Sequence, residues 1–507
     1  MLIRASLRLW YSIRFWYLSQ RRALHDGHNA DKVRFDVNEL ARVAAESTDA
    51  SQCNSITKYP DGMFSKAYLL SMDDGRQVVA KVPNPKAGVP QYTTASEAKN
   101  VMDTPVSRVH TWNSRAESHP VGAEFIIMDK VEGVQLSRVW DTIKLLEKLQ
   151  VVLALVRLQA RWFRVSYSHC SLHYEGDVDP LPGSYYNLTL GPATGRAWSD
   201  VKRSTLDVER GPWPSLTSYR EAISARETSA ICSLKPPKQI AMFCGPKLYQ
   251  PNIAQKLAAI RHYNQIFNDL IPPNATVSKP QFWHNDLRGD NIFVGPNNPQ
   301  VITGIIDWQS CHVSPLFNHN SDLGFLDWGR LEPETLDLVP QPNLQGLSPE
   351  KRCAAVHECS VQNLFIGWRK LMRSKNPALY DVVEFRKTAA YGLIFLTHRI
   401  FEYGEAHMES LLVDLQHTWK DLPSAEVERI KRACDGAVAG TELVQEVKET
   451  LGDLWLDKEL IEHERYDECK AALNEARDQT HVLPELTTEG SSDERDENRR
   501  DWAFGTL

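Results

Sequence analysis

Apolar and polar residues alternate over residues 55–59, 67–72 and 77–83, the two-residue period of strands with one buried face. Asp73, Asp74 and Gly75 supply a hairpin turn between the second and third, since Asp-Gly readily takes positive φ. Residues 108–111 and 123–129 predict two more strands. The period then changes. From 136 to 165 apolar residues recur at helical spacing, among them Leu145, Leu149, Val152, Leu155, Val156 and Leu158. After a turn-rich insertion at 171–199, helical patterns return at 216–231, 251–270, 349–373, 377–403, 405–422 and 424–451. Strands first and helices afterwards predict an α+β chain.

The most informative stretch interrupts the helices. Trp283-His284-Asn285-Asp286-Leu287-Arg288-Gly289-Asp290-Asn291 runs into a short apolar strand at 292–294, and a strand at 301–306 reads as its hairpin partner, delivering Asp307-Trp308 at its end. Two carboxylates and a carboxamide on such loops are what phosphoryl transfer from a magnesium nucleotide requires. Asp286 fits the base that receives the proton of an attacking hydroxyl. Asn291 and Asp307 fit the oxygen ligands of a hard cation, which keeps several waters of its own. Arg288, beside the base, is expected to face the transferred group, and His284 to brace the loop.

Upstream, Lys81 lies among apolar residues of the strand at 77–83, where a charge implies an anion nearby. Glu97, on a helix expected over 94–103, is the natural partner. The turn-rich loop at 60–66 could fold over phosphates with its backbone N–H groups. Trp198, Trp213, Tyr219 and Tyr249 either line an acceptor pocket or simply pack.

HNDLRGDNIFV and GIIDWQS resemble the catalytic and metal loops of the aminoglycoside phosphotransferase and choline kinase-like enzymes. The resemblance implies a bilobal protein kinase-like fold, with a small antiparallel-sheet lobe at 35–131 and a larger, mainly helical lobe at 132–475. It also implies ATP and Mg²⁺ as cofactors, Asp286 as base, Asn291 and Asp307 on the metal, and Lys81 with Glu97 at the nucleotide phosphates. Met128, Asp129, Lys130 and Val131 become the hinge that holds the base. One departure stands out: Arg288, Gly289 and Asp290 replace the family's usual His, Pro and Gly, so Asp290 brings a negative charge close to a phosphate site. That charge, with the glycine-poor loop at 60–66, admits an alternative, a pseudokinase serving as an interaction module.

Composition then narrows the setting. A formal net charge of −7 argues against a nucleic-acid backbone as partner; the resemblance implies a small hydroxylated molecule as acceptor. Nine cysteines without framework spacing suit a reducing compartment, and no apolar run approaches the ~20 residues of a membrane span. Residues 1–34 form a basic leader with Arg4, Arg8, Arg14, Arg21 and Arg22 and no acid before Asp26. Its arginines gather opposite Leu2, Leu9, Ile13 and Trp16, as in a mitochondrial transit peptide; the same segment also suits peripheral contact with a membrane surface. Residues 476–507 are expected to be a disordered acidic tail. Leader, lobe and loops together resemble the fungal altered inheritance of mitochondria protein 9 group.

Overall fold

The computed structural model describes residues 33–84 apart from 61 and 63, 104–165, 190–235 apart from 194, 252–326 and 335–403, with isolated positions besides. It opens on a helix that the periodicity above does not include, α1 (Val37–Ser47). The Asp36 carboxylate caps it, accepting from the amides of Asn38 at 2.9 Å and Glu39 at 3.0 Å.

Strands β1 (Cys53–Lys58), β2 (Ser65–Met72), β3 (Gln77–Pro83), β4 (Val109–Asn113) and β5 (Phe125–Asp129) build one antiparallel sheet in the order β1-β2-β3-β5-β4. All five expected strands are there, within two residues of the expected limits. One face of the sheet is dry. Val78, Ala80 and Val82 of β3, with Leu70, Met72, Phe125 and Ile127, form a core with Leu40, Val43, Ala44 and Ala45 of α1. Because successive side chains point to opposite faces, the same pleat sends Lys81 to the other side.

Beyond the sheet come β6 (Val134–Gln135), α2 (Leu136–Val139) and α3 (Leu145–Trp162), then the two-residue strands β7 (Leu172–His173) and β8 (Leu190–Gly191). Helix α3 buries Val151, Val152, Leu155, Val156, Leu158 and Trp162; of the expected stripe, Val152, Leu155, Val156 and Leu158 face inward, while Leu145 at its start is exposed. Next are α4 (Leu216–Ser233), α5 (Ile253–Leu270), α6 (Ala275–Ser278) and the strands β9 (Pro280–Trp283), β10 (Ile292–Gly295), β11 (Asn298–Ile305) and β12 (His312–Pro315). The hairpin β10-β11 forms as expected, and β6 adds to its free edge in the order β11-β10-β6. Strands β9 and β12 pair with each other, His312 opposite Trp283, and were not anticipated.

Helix α7 (Pro349–Lys375) packs on α3, with Gly367 giving room to Leu149. The helical pattern at 377–403 is broken into α8 (Pro377–Phe385), α9 (Ala389–Thr397) and α10 (Ile400–Tyr403). The break has a local cause, since Thr388 leaves the helical conformation and its hydroxyl caps α9 through the Tyr391 amide at 3.2 Å. The architecture is α+β. No helix among the described residues is long and apolar enough to cross a membrane.

The chain divides into two compact units, one of residues 26–222 and 272–384, the other of 1–25, 223–271 and 385–507. The first contains the sheet and both motif loops. The second buries charged side chains in pairs: Arg226 Nε donates to Glu227 Oε1 at 3.0 Å, Glu227 accepts from the Phe401 amide, and Lys256 Nζ donates to the Phe401 carbonyl at 3.1 Å. Residues 1–32 of the expected leader, nearly all of the helix expected over 94–103 with Glu97, the expected acidic tail and nearly all of 405–451 lie outside the described residues.

Candidate active site

Two loops of the first unit meet beneath the open face of β3. The Asp307 carboxylate accepts from Lys81 Nζ at 2.7 Å, and the Gln309 side-chain oxygen lies 3.4 Å from the same nitrogen. Asp307 reaches that position from a left-handed backbone, φ 68° and ψ 54°, which a side chain with a Cβ adopts at a cost. The turn is held from below. Trp308 Nε1 donates to the Ile305 carbonyl at 2.8 Å, and the Ile306 amide donates to the Asn291 carbonyl at 2.9 Å. Burial acts to raise the Asp307 carboxyl, but the charge and hydrogen bond of Lys81 outweigh it and hold the group below its ordinary value.

The other loop is braced as expected of His284. The Asp286 amide donates to its Nδ1 at 3.2 Å, so Nε2 carries the proton and donates to the Ile306 carbonyl at 3.0 Å. Burial pushes this imidazole below its ordinary value and keeps it neutral. Asn291 closes the loop at its far end, Nδ2 donating to the Asp286 carbonyl at 3.0 Å and to Asp286 Oδ2 at 3.2 Å. Its amide oxygen therefore faces away from Asp286. Arg288 Nε lies 3.0 Å from Asp286 Oδ1 as an ion pair.

Asp290 stands apart from this group. Its carboxylate accepts from the Ser137 hydroxyl at 2.6 Å, on the exposed edge where the loop meets α2. In the segment expected to be the hinge, Met128 and Asp129 pair with Val79 and Val78 inside the sheet, and Asp129 Oδ1 lies 2.6 Å from His110 Nε2. Lys130 Nζ donates to Gln77 Oε1 at 2.9 Å, and Val131 leaves the sheet to pack on Gly304, whose hydrogen is all that fits there. Glu97 lies outside the described residues.

Several supports were not foreseen. Trp162, Trp283 and Trp308 form an aromatic floor under both loops, Trp162 lying edge-on to Trp283 at 5.0 Å and to Trp308 at 6.0 Å. Asn285 Oδ1 accepts from the Asn320 amide at 2.9 Å and pins residues 318–320 beside Asp286. The tryptophans of Trp283-His284 and Asp307-Trp308 were visible as neighbours of the motifs; their convergence was not. Three of the aromatic residues weighed as an acceptor pocket pack: Trp198 stacks on Trp213 at 5.1 Å, Tyr219 meets Trp213 edge-on, and all three are buried. Tyr249 lies outside the described residues.

The chain is similar to several known proteins. Two subtelomeric hrmA-associated cluster proteins, from two strains of Aspergillus fumigatus, are each 26% identical over 355 residues, 62% of this chain and 69% of theirs. Among solved structures, aminoglycoside phosphotransferase APH(4)-Ia in ternary complex with ADP and hygromycin B is 13% identical over 79% of this chain and 98% of that one. The gentamicin complex of APH(2")-IIa is 14% identical over 81% and 96%. Their TM-scores are 0.38 and 0.35. Residues 242–333, on which Asp286, Asn291 and Asp307 all lie, match the phosphotransferase enzyme family, and the chain resembles that family in the segment from which its site is built.

Proposed function

We propose that the chain is a phosphotransferase that moves the γ-phosphoryl group of ATP to a hydroxyl of a small molecule. The observation that carries this reading is the meeting of Lys81 with Asp307 at 2.7 Å, beside a loop in which Asn291 and Asp286 are already joined. Lys81 binds the nucleotide phosphates. Met128, Asp129, Lys130 and Val131 lie along the adenine, where the chain leaves the sheet and the backbone of Lys130 and Val131 is not part of its ladder. The donor set fits Mg²⁺, since Asp307 offers carboxylate oxygens and Asn291 an amide oxygen turned away from Asp286. Bound there, the ion neutralises phosphate charge.

Asp286 orients the acceptor hydroxyl and takes its proton. The hydroxyl oxygen bonds to the γ-phosphorus, the bond from that phosphorus to the bridging oxygen breaks, and ADP leaves with the electron pair. Arg288, paired with Asp286, faces the transferred group and balances its charge. The acceptor is a small hydroxylated metabolite, and the place of action is the mitochondrion, a reading supported by the basic leader at 1–34 and by the resemblance to the fungal mitochondrial-inheritance group.

The same ion pair favours a second reading, a non-catalytic nucleotide-binding module, because a guanidinium on Asp286 competes with an incoming hydroxyl. Thermal unfolding of the full chain with and without Mg-ATP, followed by a metabolite screen for phosphate transfer, separates them. Mg-ATP is expected to raise the melting temperature by mass action. Asp286→Ala is expected to keep that shift and lower transfer by roughly 10²–10⁴-fold. Transfer retained in Asp286→Ala removes this aspartate as the base, and an unchanged melting temperature at millimolar Mg-ATP removes the nucleotide site itself. A reporter fused to residues 1–34 is expected in mitochondria, and a cytosolic reporter overturns the location.

A further inference from the structure

The residue that departs most from the expected motif is built into a fastening. Ser137 donates twice to the catalytic loop, from its hydroxyl to Asp290 Oδ1 at 2.6 Å and from its amide to the Gly289 carbonyl at 3.1 Å. Gln135 Nε2 donates to the Asp290 carbonyl at 3.0 Å. A Cβ on Gly289 would lie 3.1 Å from the Ser137 nitrogen, so only glycine lets the backbones come this close without displacement. The contact continues along the chain, with Gln135 opposite Phe293 and Val134 opposite Val294, and with the Glu132 carbonyl accepting from Thr303 Oγ1 at 2.6 Å. Residues 132–137 therefore form a strap from the hinge onto the loop, and its last rivet is one peptide away from Asn291.

We propose that Asp290 is a positioning residue: bound to Ser137, it holds the peptide before Asn291 so that the Asn291 amide oxygen stays where a divalent cation needs it. The inference rests on the phosphotransferase reading of the site. Asp290 acts through hydrogen-bond acceptance, its charge directed to the strap and solvent, and it touches neither nucleotide nor acceptor. A purely structural role would lower stability and leave the cation requirement unmoved.

The test is calorimetric ATP binding to the full chain across a series of free Mg²⁺ concentrations, for wild type, Asp290→Ala, Asp290→Asn, Ser137→Ala and the double variant Ser137→Ala/Asp290→Ala. Losing a hydrogen bond to a charged group shifts an equilibrium by roughly tenfold. The Mg²⁺ concentration for half-maximal binding is therefore expected to rise about tenfold in Asp290→Ala and in Ser137→Ala. ATP binding without Mg²⁺ is expected to stay at the wild-type level. Asp290→Asn, which keeps the acceptor oxygen, is expected to behave as wild type, and the double variant no worse than either single one. A wild-type Mg²⁺ requirement in Asp290→Ala overturns the proposal, as do multiplying losses in the double variant or an Asp290→Asn as impaired as Asp290→Ala. Wild type that binds no Mg-ATP overturns the phosphotransferase reading and this inference with it, whereas normal wild-type binding with an unaffected Asp290→Ala overturns this inference alone.

Discussion

Lys81 and Asp307 lie 226 positions apart in the chain and carry the charge balance of the site. Each is mostly buried, and removing one partner of such a pair leaves the other charge uncompensated. Lys81→Met is therefore expected to destabilise the first unit by about 1–3 kcal/mol, a buried-pair cost reduced for the partial exposure of Asp307. Lys81→Met/Asp307→Asn is expected to cost less than the two single changes together. Denaturant midpoints of the four proteins check this, and strict additivity would mean that the pair carries no coupling. Sequence patterning made Lys81 conspicuous as a lysine in an apolar strand. That Asp307 holds it could not be read there, because the contact depends on a left-handed turn after β11. Asp290 shows the reverse case, a charge conspicuous in the sequence whose carboxylate is engaged by Ser137, 153 positions away.

At the level of elements, the strap and the hairpin turn each place a glycine at positive φ, in different surroundings. Gly75, in the turn between β2 and β3, has φ 86° and open space where a Cβ would stand. Gly133, at the start of the strap, has φ 107°, and a Cβ there would run into the Val294 carbonyl oxygen and come within 2.7 Å of Thr303 Oγ1. Gly75→Ala is expected to cost about 1 kcal/mol, the conformational penalty alone. Gly133→Ala adds a backbone collision and is expected to cost more than about 3 kcal/mol. Urea denaturation measures both; equal costs would show that the strap yields. The long strands and helices were legible because their periods repeat over several turns or pleats. Strands β9 and β12 were not, being four residues each and paired only with one another across the chain. Helix α1 does carry a local signal, Asp36 ahead of the stripe Leu40, Val43 and Ala44.

Over the whole molecule, stability is expected to depend on acid through the second unit. His398, at the end of α9, is half-buried, with Nε2 3.0 Å from the Tyr263 hydroxyl and its carbonyl accepting from Arg226 at 2.6 Å. Burial, reinforced by the Arg226 charge, pushes its imidazole down to about 3 from an ordinary 6.5. The folded protein thus keeps His398 neutral while the unfolded chain takes up a proton below 6.5. The contribution of this residue is present above about pH 6.5 and is lost as pH falls toward 3. At pH 5 the loss is on the order of 2 kcal/mol. Denaturation midpoints between pH 7 and 5 are expected to fall less steeply in His398→Gln than in wild type, and identical slopes would place the acid sensitivity elsewhere.

Sequence alone determined the α+β order of strands and helices, the hairpin between the two motif loops, and the identity of the oxygen-bearing side chains, because each depends on short-range periods or on residue chemistry within a dozen positions. Tertiary structure decided what those side chains do to one another. The pairing of Lys81 with Asp307, the aromatic floor of Trp162, Trp283 and Trp308, and the fastening of Asp290 to Ser137 all join residues more than a hundred positions apart or on separate elements. Such contacts are set by the pleat of β3, the turn at Asp307 and the close approach at Gly289, geometries that appear only once the chain has closed on itself.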